Sequence, residues 1–392
     1  MKLCVYAHPF DLKALSGCGG LGRLRDLGVA EIALATSYHD GRWLMPWHPE
    51  GPVRFLEDGT VHFRPRADYG PLQPQPSGCV PAKGPSPLEL LVRDAALHGL
   101  RVRAWTVFTH NSRLGALHPE QCVENAFGDL YRYALCPAQP AVRQYTVAMV
   151  RDLADHGVHT VELEALGQMG WKHSSHHDKA SFTPTGLLDA ALSACFCASC
   201  ANRLANDGHD PERLRAAVVA FVQRGVRDGC AMAPAKQPSG PADLAASGLD
   251  TAWLAAVLAV RARTLQELGR LVVDATPETA RAVQVHPHAW FTGSQLAVDV
   301  AAAAFPAGDE RVLTCYGEGP EAIGKALAAP GFAAATDKRL CLWPKAPQFT
   351  SDEDLVKVRD LAARAGVASI AIYHLGLLPW RTLERAAKML CA

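Results

Sequence analysis

Short apolar runs alternate with amphipathic stretches along the whole chain. The runs at residues 3–8, 31–38, 101–109, 160–165, 282–286, 311–316, 339–343 and 369–374 have the length and composition of buried strands. Between most of them lie stretches with helical spacing, such as 87–98, 140–156, 320–328 and 352–365. Several of these helices run into Gly28, Gly99, Gly157 or Gly366 just before the next strand, where glycine supplies the left-handed C-terminal cap. Repeated strand–helix units predict a parallel sheet, and eight of them predict a closed (β/α)8 barrel, a TIM barrel, with an open doubly wound sheet as the alternative. No G-x-G-x-x-G follows the first strand, so a dinucleotide site has no support.

Two long interruptions follow the second and fourth strands. Residues 41–84 are rich in Pro and Gly, and 52–56 and 61–65 read as a hairpin around Glu57-Asp58-Gly59. Residues 167–250 hold the run His173 to Lys179, the sequence Cys195-Phe196-Cys197-Ala198-Ser199-Cys200 and a helix at 211–227. The expected organisation is one barrel over residues 1–392, carrying an inserted zinc-binding and helical subdomain at 167–250. Both interruptions would lie on the C-terminal face, where barrel enzymes build their sites.

Charge changes this picture only by exclusion. Lys plus Arg and Asp plus Glu both number 39 in 392 residues, so a broadly basic nucleic-acid surface is not expected. No apolar run reaches the length of a bilayer span, and the N-terminal residues read as a strand without the apolar core of a signal peptide. Twelve cysteines scattered over the chain, several inside strand-like runs, suit a reducing compartment, and a cytoplasmic location is expected.

Three thiols spaced C-x-C-x-x-C match a zinc knuckle, because tetrahedral zinc takes four thiolates. Cys136 is the candidate fourth ligand to Cys195, Cys197 and Cys200, with Cys122 and Cys230 as rivals. On the strand at 160–165, Glu162 and Glu164 share the inward face by the period-2 rule. Glu164 ends that strand and is the candidate catalytic carboxylate, with Glu162 one layer deeper as support. The other strand ends supply candidate ligand contacts: His8, Tyr38, His110, Asn111, His286, His288, Tyr316, Trp343, Lys345 and Tyr373, joined by His173, His177 and Lys179 from the histidine run. Aromatic platforms beside polar forks suit a polyhydroxylated ligand. His173 and His177, four apart, offer a second metal reading, although no H-E-x-x-H pattern accompanies them. There is no G-x-S-x-G for serine chemistry.

Over residues 128 to about 210 the chain resembles the family-42 β-galactosidases and the related family-10-like glycoside hydrolases. The likeness rests on Leu135-Cys136-Pro137, the P-x-x-R pattern Pro140-Ala141-Val142-Arg143, and the C-x-C-x-x-C after a strand ending in glutamate. The resemblance implies a structural zinc with Cys136 as fourth ligand, Glu164 as acid/base, and frequent oligomers. This chain departs from it at Leu163, where the family has Asn, and at Trp343-Pro344-Lys345, where the family's nucleophilic glutamate would end the seventh strand.

The expected activity is therefore glycosidic cleavage by a carboxylate pair, Glu164 with Glu318 or, next, Asp40, acting on a small carbohydrate. The alternatives are a sugar isomerase or lyase and a non-catalytic carbohydrate-binding barrel. A homo-oligomer is compatible with each; nucleic acid or membrane as a partner is not expected.

Overall fold

Each of the eight apolar runs is a strand in the computed structural model, which describes residues 1–16, 19–173, 179–182, 184, 186–227, 252–287 and 293–391. These are β1 (Lys2–Ala7), β2 (Val29–Tyr38), β3 (Arg101–Val107), β4 (Thr160–Glu164), β5 (Ala280–His286), β6 (Glu310–Cys315), β7 (Lys338–Leu342) and β8 (Ser369–Ile372). Every strand pairs in parallel with the next, and β8 returns to β1 at Lys2↔Ser369, so the sheet closes. Eight helices surround it: α1 (Gly20–Asp26), α2 (Pro87–Leu97), α3 (Pro140–Asp155), α4 (Ala252–Ala275), α5 (Val298–Ala304), α6 (Pro320–Leu327), α7 (Asp352–Arg364) and α8 (Trp380–Cys391). The protein is a (β/α)8 barrel with long insertions after β2 and β4.

Local sequence sets the helix starts. Ser86 and Glu89 form a capping box on α2, with Pro87 at its first position, and Ser351 with Asp354 repeats the device on α7. The alternation along the strands then sorts two cores. Outward residues such as Val5, Val161, Val283, Leu340 and Ile370 pack against Leu91, Leu153, Leu268, Val358 and Leu383 of the helices. Burying each of these side chains contributes roughly 1.5–3 kcal/mol.

Inside the barrel the floor is ionic. Arg103 donates to Glu31 (3.2 Å), Glu162 (3.0 Å) and Glu310, and Arg339 donates to Glu310 (3.0 Å) and Glu31. Arg101 reaches Glu31 from the barrel's edge at 2.9 Å. Buried charges survive only when paired this densely. Above them Cys4, Tyr6, Ala33, Trp105, Ala282, Val312, Cys341 and Ala371 fill the interior.

The first insertion differs from the expected hairpin. Gly41–Leu44 pairs antiparallel with Val53–Leu56, and Thr60–Val61 instead extends the sheet beside the end of β2, at Ser37↔Val61. The turn at Gly59 is what redirects the chain: its φ is +60°, and a Cβ there would lie 2.1 Å from Asn111 Oδ1.

In the second insertion, helices Gly186–Leu192, Ala198–Asn206 and Pro211–Arg227 pack with Trp253, Leu254 and Leu258 of α4 around Phe196, Leu204 and Phe221. A further hairpin, Cys122–Glu124 with Leu130–Leu135, precedes α3. No helix among the described residues is long and apolar enough to cross a membrane.

Candidate active site and metal centre

Glu164 is the last residue of β4, and Ala165 after it adopts φ +52°, a strained value for a residue with a Cβ. The kink is pinned by Thr109, whose N–H and hydroxyl both donate to the Ala165 carbonyl, at 2.9 and 2.6 Å. The Glu164 carboxyl thus leaves the strand at a fixed angle into the barrel mouth. There the indole N–H of Trp105 donates to it.

Burial pushes the Glu164 carboxyl up to about 7; the Trp105 hydrogen bond opposes that rise and the charge of Glu162 adds to it. Glu162 itself is fully buried, accepting from Tyr6, from Arg103 (3.0 Å) and from Gln284 (3.0 Å). The two carboxyls of one strand therefore differ sharply. One is locked in an ion network, and the other is poised to hold or release a proton near neutrality.

Aromatic rings line the wall beside Glu164. Tyr38 and Tyr373 share a hydroxyl–hydroxyl bond of 3.1 Å, the Tyr316 ring lies 4.3 Å from that of Tyr373, and Trp343 lies 5.3 Å from it. The Lys345 ammonium sits 3.2 Å above the Trp343 ring centroid, a cation–π contact. The His8 ring is buried against Phe10, His62 and Trp43, and the His8 backbone N–H donates to Asp11 at 2.7 Å. On the side of β2 and β3, His39 stacks on His110 at 4.3 Å, and His110 meets His173 through ring nitrogens 3.0 Å apart. Burial lowers all three imidazoles, His110 to about 2 and His173 to about 4, so the row is neutral.

The remaining candidates are more dispersed. Asn111 is spent as the N-cap of the helix Ser112–Leu117, accepting from Leu114 N–H at 2.8 Å. Asp40 is exposed at the end of β2, its backbone N–H donating to Asp58 at 3.2 Å. Glu318 is exposed beyond β6, its carboxylate accepting from Gly317 N–H at 2.9 Å. Lys179 is exposed, and His286 is half-buried at the end of β5. His177 and His288 lie outside the described residues.

Trp105, His62 and Gln284 belong to this mouth and were not singled out from the sequence. Trp105 was within reach, since it alternates inward with Arg103. His62 depends on the path of the insertion, which no local pattern encodes.

The four thiols Cys136, Cys195, Cys197 and Cys200 are buried together, their sulfurs all within 4.8 Å of one another. Cys136 Sγ lies 3.8 Å from Cys195, 3.6 Å from Cys197 and 3.6 Å from Cys200. Those separations are far beyond the ~2.05 Å of a disulfide. They match the ~3.8 Å between thiolates placed tetrahedrally at ~2.3 Å from a metal.

The elements explain the meeting. Cys136 directly follows the strand Leu130–Leu135, and Phe196 N–H docks Cys195 and Cys197 onto that hairpin through Glu124 O at 2.7 Å. Cys200 follows in the first turn of Ala198–Asn206. The rival Cys122 is spent on the Gly115 carbonyl, and Cys230 lies outside the described residues.

Hydrogen bonds from Cys136, Cys195 and Cys200 drive the Cys197 thiol down toward thiolate, the form that a metal requires, while the same cluster holds Cys136 and Cys200 up as thiols. Arg261 is buried beside the cluster. Burial pulls its guanidinium down to about 10 against the upward pull of Cys195, Asp189, Cys136 and Cys200. A divalent ion with four thiolates carries two excess negative charges, and a buried cation alongside offsets part of them. The cluster can hold a metal ion.

No family model and no curated protein sequence matches the chain. Among solved structures it is similar to the catalytic domain of a β-amylase from Paenibacillus polymyxa, with a TM-score of 0.56 and 11% identity over 99% of this chain and 97% of that one. It is also similar to α-L-fucosidase isoenzyme 2 from Paenibacillus thiaminolyticus, with a TM-score of 0.50 and 11% identity. That match covers 100% of this chain, which spans 49% of the fucosidase chain. At such identities the likeness carries the fold.

Proposed function

We propose that the protein is a glycoside hydrolase in which Glu164 is the general acid. The observation that carries this reading is the poised carboxyl at the end of β4, held near neutrality by burial and aimed by a strained turn into an aromatic-walled mouth. In the proposed step a water oxygen bonds to the anomeric carbon as the glycosidic C–O bond breaks. The Glu164 proton passes to the departing oxygen, and a second carboxylate takes a proton from the water.

Asp40 and Glu318 are the candidates for that second group. Asp40 is favoured by its place at the end of β2, two strands from Glu164 and across the barrel from β6. A base that activates water inverts the anomeric centre, with the carboxyls roughly 6.5–9.5 Å apart. Tyr38, Tyr373, Tyr316 and Trp343 are proposed to pack against the faces of the sugar, with His8, His110, His173 and Lys345 supplying polar contacts.

The metal is proposed to be zinc, with Cys136, Cys195, Cys197 and Cys200 as a closed set that leaves no position for substrate. Its role is structural: it ties the hairpin before α3 to the insertion that follows Glu164.

The neutral row His39–His110–His173 favours a second reading, a sugar isomerase or lyase that moves protons by imidazole. The deciding test is turnover of a panel of aryl glycosides by wild type and Glu164→Gln. Hydrolysis lost in the variant supports the first reading. Isomerisation or elimination of free sugars, with every glycoside untouched, supports the second.

A further inference from the structure

Beside the mouth, between the ends of β5 and β6 and helix α6, lies a cavity of about 520 Å3. Its volume falls in the ~300–1,000 Å3 range of small-molecule sites. Leu313, Ala322 and Ala326 give it an apolar floor, while Gln295, Thr314 and Glu318 bring polar groups to it. Gln295 already spends one N–H on the Thr314 hydroxyl, at 3.0 Å, which fixes the amide's orientation.

Tyr316 forms one wall, and it is also the link to Glu164. From the cavity, the rings run Tyr316 to Tyr373 (4.3 Å) to Trp105 (5.8 Å), and the Trp105 indole N–H donates to Glu164. Burial raises the Tyr316 phenol, and the negative charge of Glu164 adds to that, which sets the two side chains within electrostatic reach. The strand order supplies the direction. Glu164 ends β4; the cavity lies toward β5 and β6, and Asp40 lies the other way, toward β2. A group leaving from the protonated oxygen toward the cavity departs opposite to water arriving from the Asp40 side.

We propose that this cavity is the leaving-group site and that it takes an uncharged ring with one apolar face, either a second sugar unit or an aryl group. This inference rests on the hydrolase reading above. The polar groups at Gln295, Thr314 and Glu318 suit ring hydroxyls, and the alanine floor suits the ring's flat face.

The test compares wild type with Ala322→Trp, a substitution at an exposed position of α6 that projects an indole into the cavity. Ala329→Trp serves as a second plug, and thermal melting checks that both fold. Substrates share one glycone and carry fluoride, nitrophenol or a second sugar as the leaving group. Fluoride needs neither the acid nor the cavity.

The expected result is that the ratio of kcat/KM on the fluoride to that on the ringed substrate rises at least about ten-fold in both variants, mostly through KM. A rise confined to the disaccharide identifies a sugar leaving group, and one confined to the nitrophenyl glycoside an aryl group. An unchanged ratio in a folded variant, with wild type active, overturns the leaving-group site alone. A wild type inert on the fluoride and on every glycoside overturns the hydrolase reading and this inference with it.

Discussion

Replacing Glu164 by Gln should stabilise the protein, and only at neutral and alkaline pH. The carboxyl ionises near its ordinary 4.5 in the unfolded chain and is pushed up to about 7 by burial in the fold. A group whose folded value is the higher one favours the folded state fully below the unfolded value. That advantage is lost as pH rises through the folded value. Linkage over these two values puts the cost of Glu164 at under about 1 kcal/mol at pH 5 and at roughly 3 kcal/mol at pH 8. Glu164 keeps some exposure at the mouth, so solvent screening trims the difference between these pH values to ~2 kcal/mol.

Gln cannot ionise, and its amide oxygen keeps the hydrogen bond from Trp105. Urea unfolding of both proteins at pH 5 and pH 8 measures the effect. The variant should match wild type within about 1 kcal/mol at pH 5 and exceed it by ~2 kcal/mol or more at pH 8. Parallel pH–stability curves would refute the reasoning, because the carboxyl would then ionise as readily in the fold as out of it.

Two further outcomes follow from the same geometry. Trp105→Phe removes a donor that favours the ionised form of Glu164. A hydrogen bond to a charged group is worth ~1.5–3 kcal/mol, so the carboxyl should rise by about 1–2 pH units. A general acid works protonated, so the alkaline limb of kcat/KM should move upward by that amount, and a downward or absent shift contradicts the assignment. Cys197→Ser should lose the bound metal, measured by elemental analysis at about one ion per chain in wild type, and should lower stability by at least ~2 kcal/mol. Equal metal content in the two proteins would remove the four-thiol centre.

Much of the barrel was legible because closed parallel sheets bury both faces of every strand. Runs such as Ile32 to Ala35 and Ser369 to Ile372 then stand out as short apolar blocks closed off by glycine-capped helices. The thiol centre was legible for a different reason. Cys195, Cys197 and Cys200 sit within one turn of chain, so spacing alone proposes a common ligand, whereas the choice of Cys136 over Cys122 needed the hairpin that carries both.

The insertion after β2 defeated local reading. Val53–Leu56 had two possible partners of similar pattern; it pairs with Gly41–Leu44, while Thr60–Val61 lies beside β2. The same long-range preference brings His62 against His8. Glu162 and Glu164 look alike in sequence. Only the ion network beneath one and the indole above the other separate their chemistry.

The central claim is that Glu164 protonates a departing glycosidic oxygen. Its most direct test is kcat/KM for wild type and Glu164→Gln across aryl glycosides whose phenols span poor to good leaving groups. The account predicts a loss of about 10²–10⁴-fold for the poorest leaving group, shrinking toward none for the best, which departs without a proton. A loss of the same size across the whole series, or none anywhere, would contradict it.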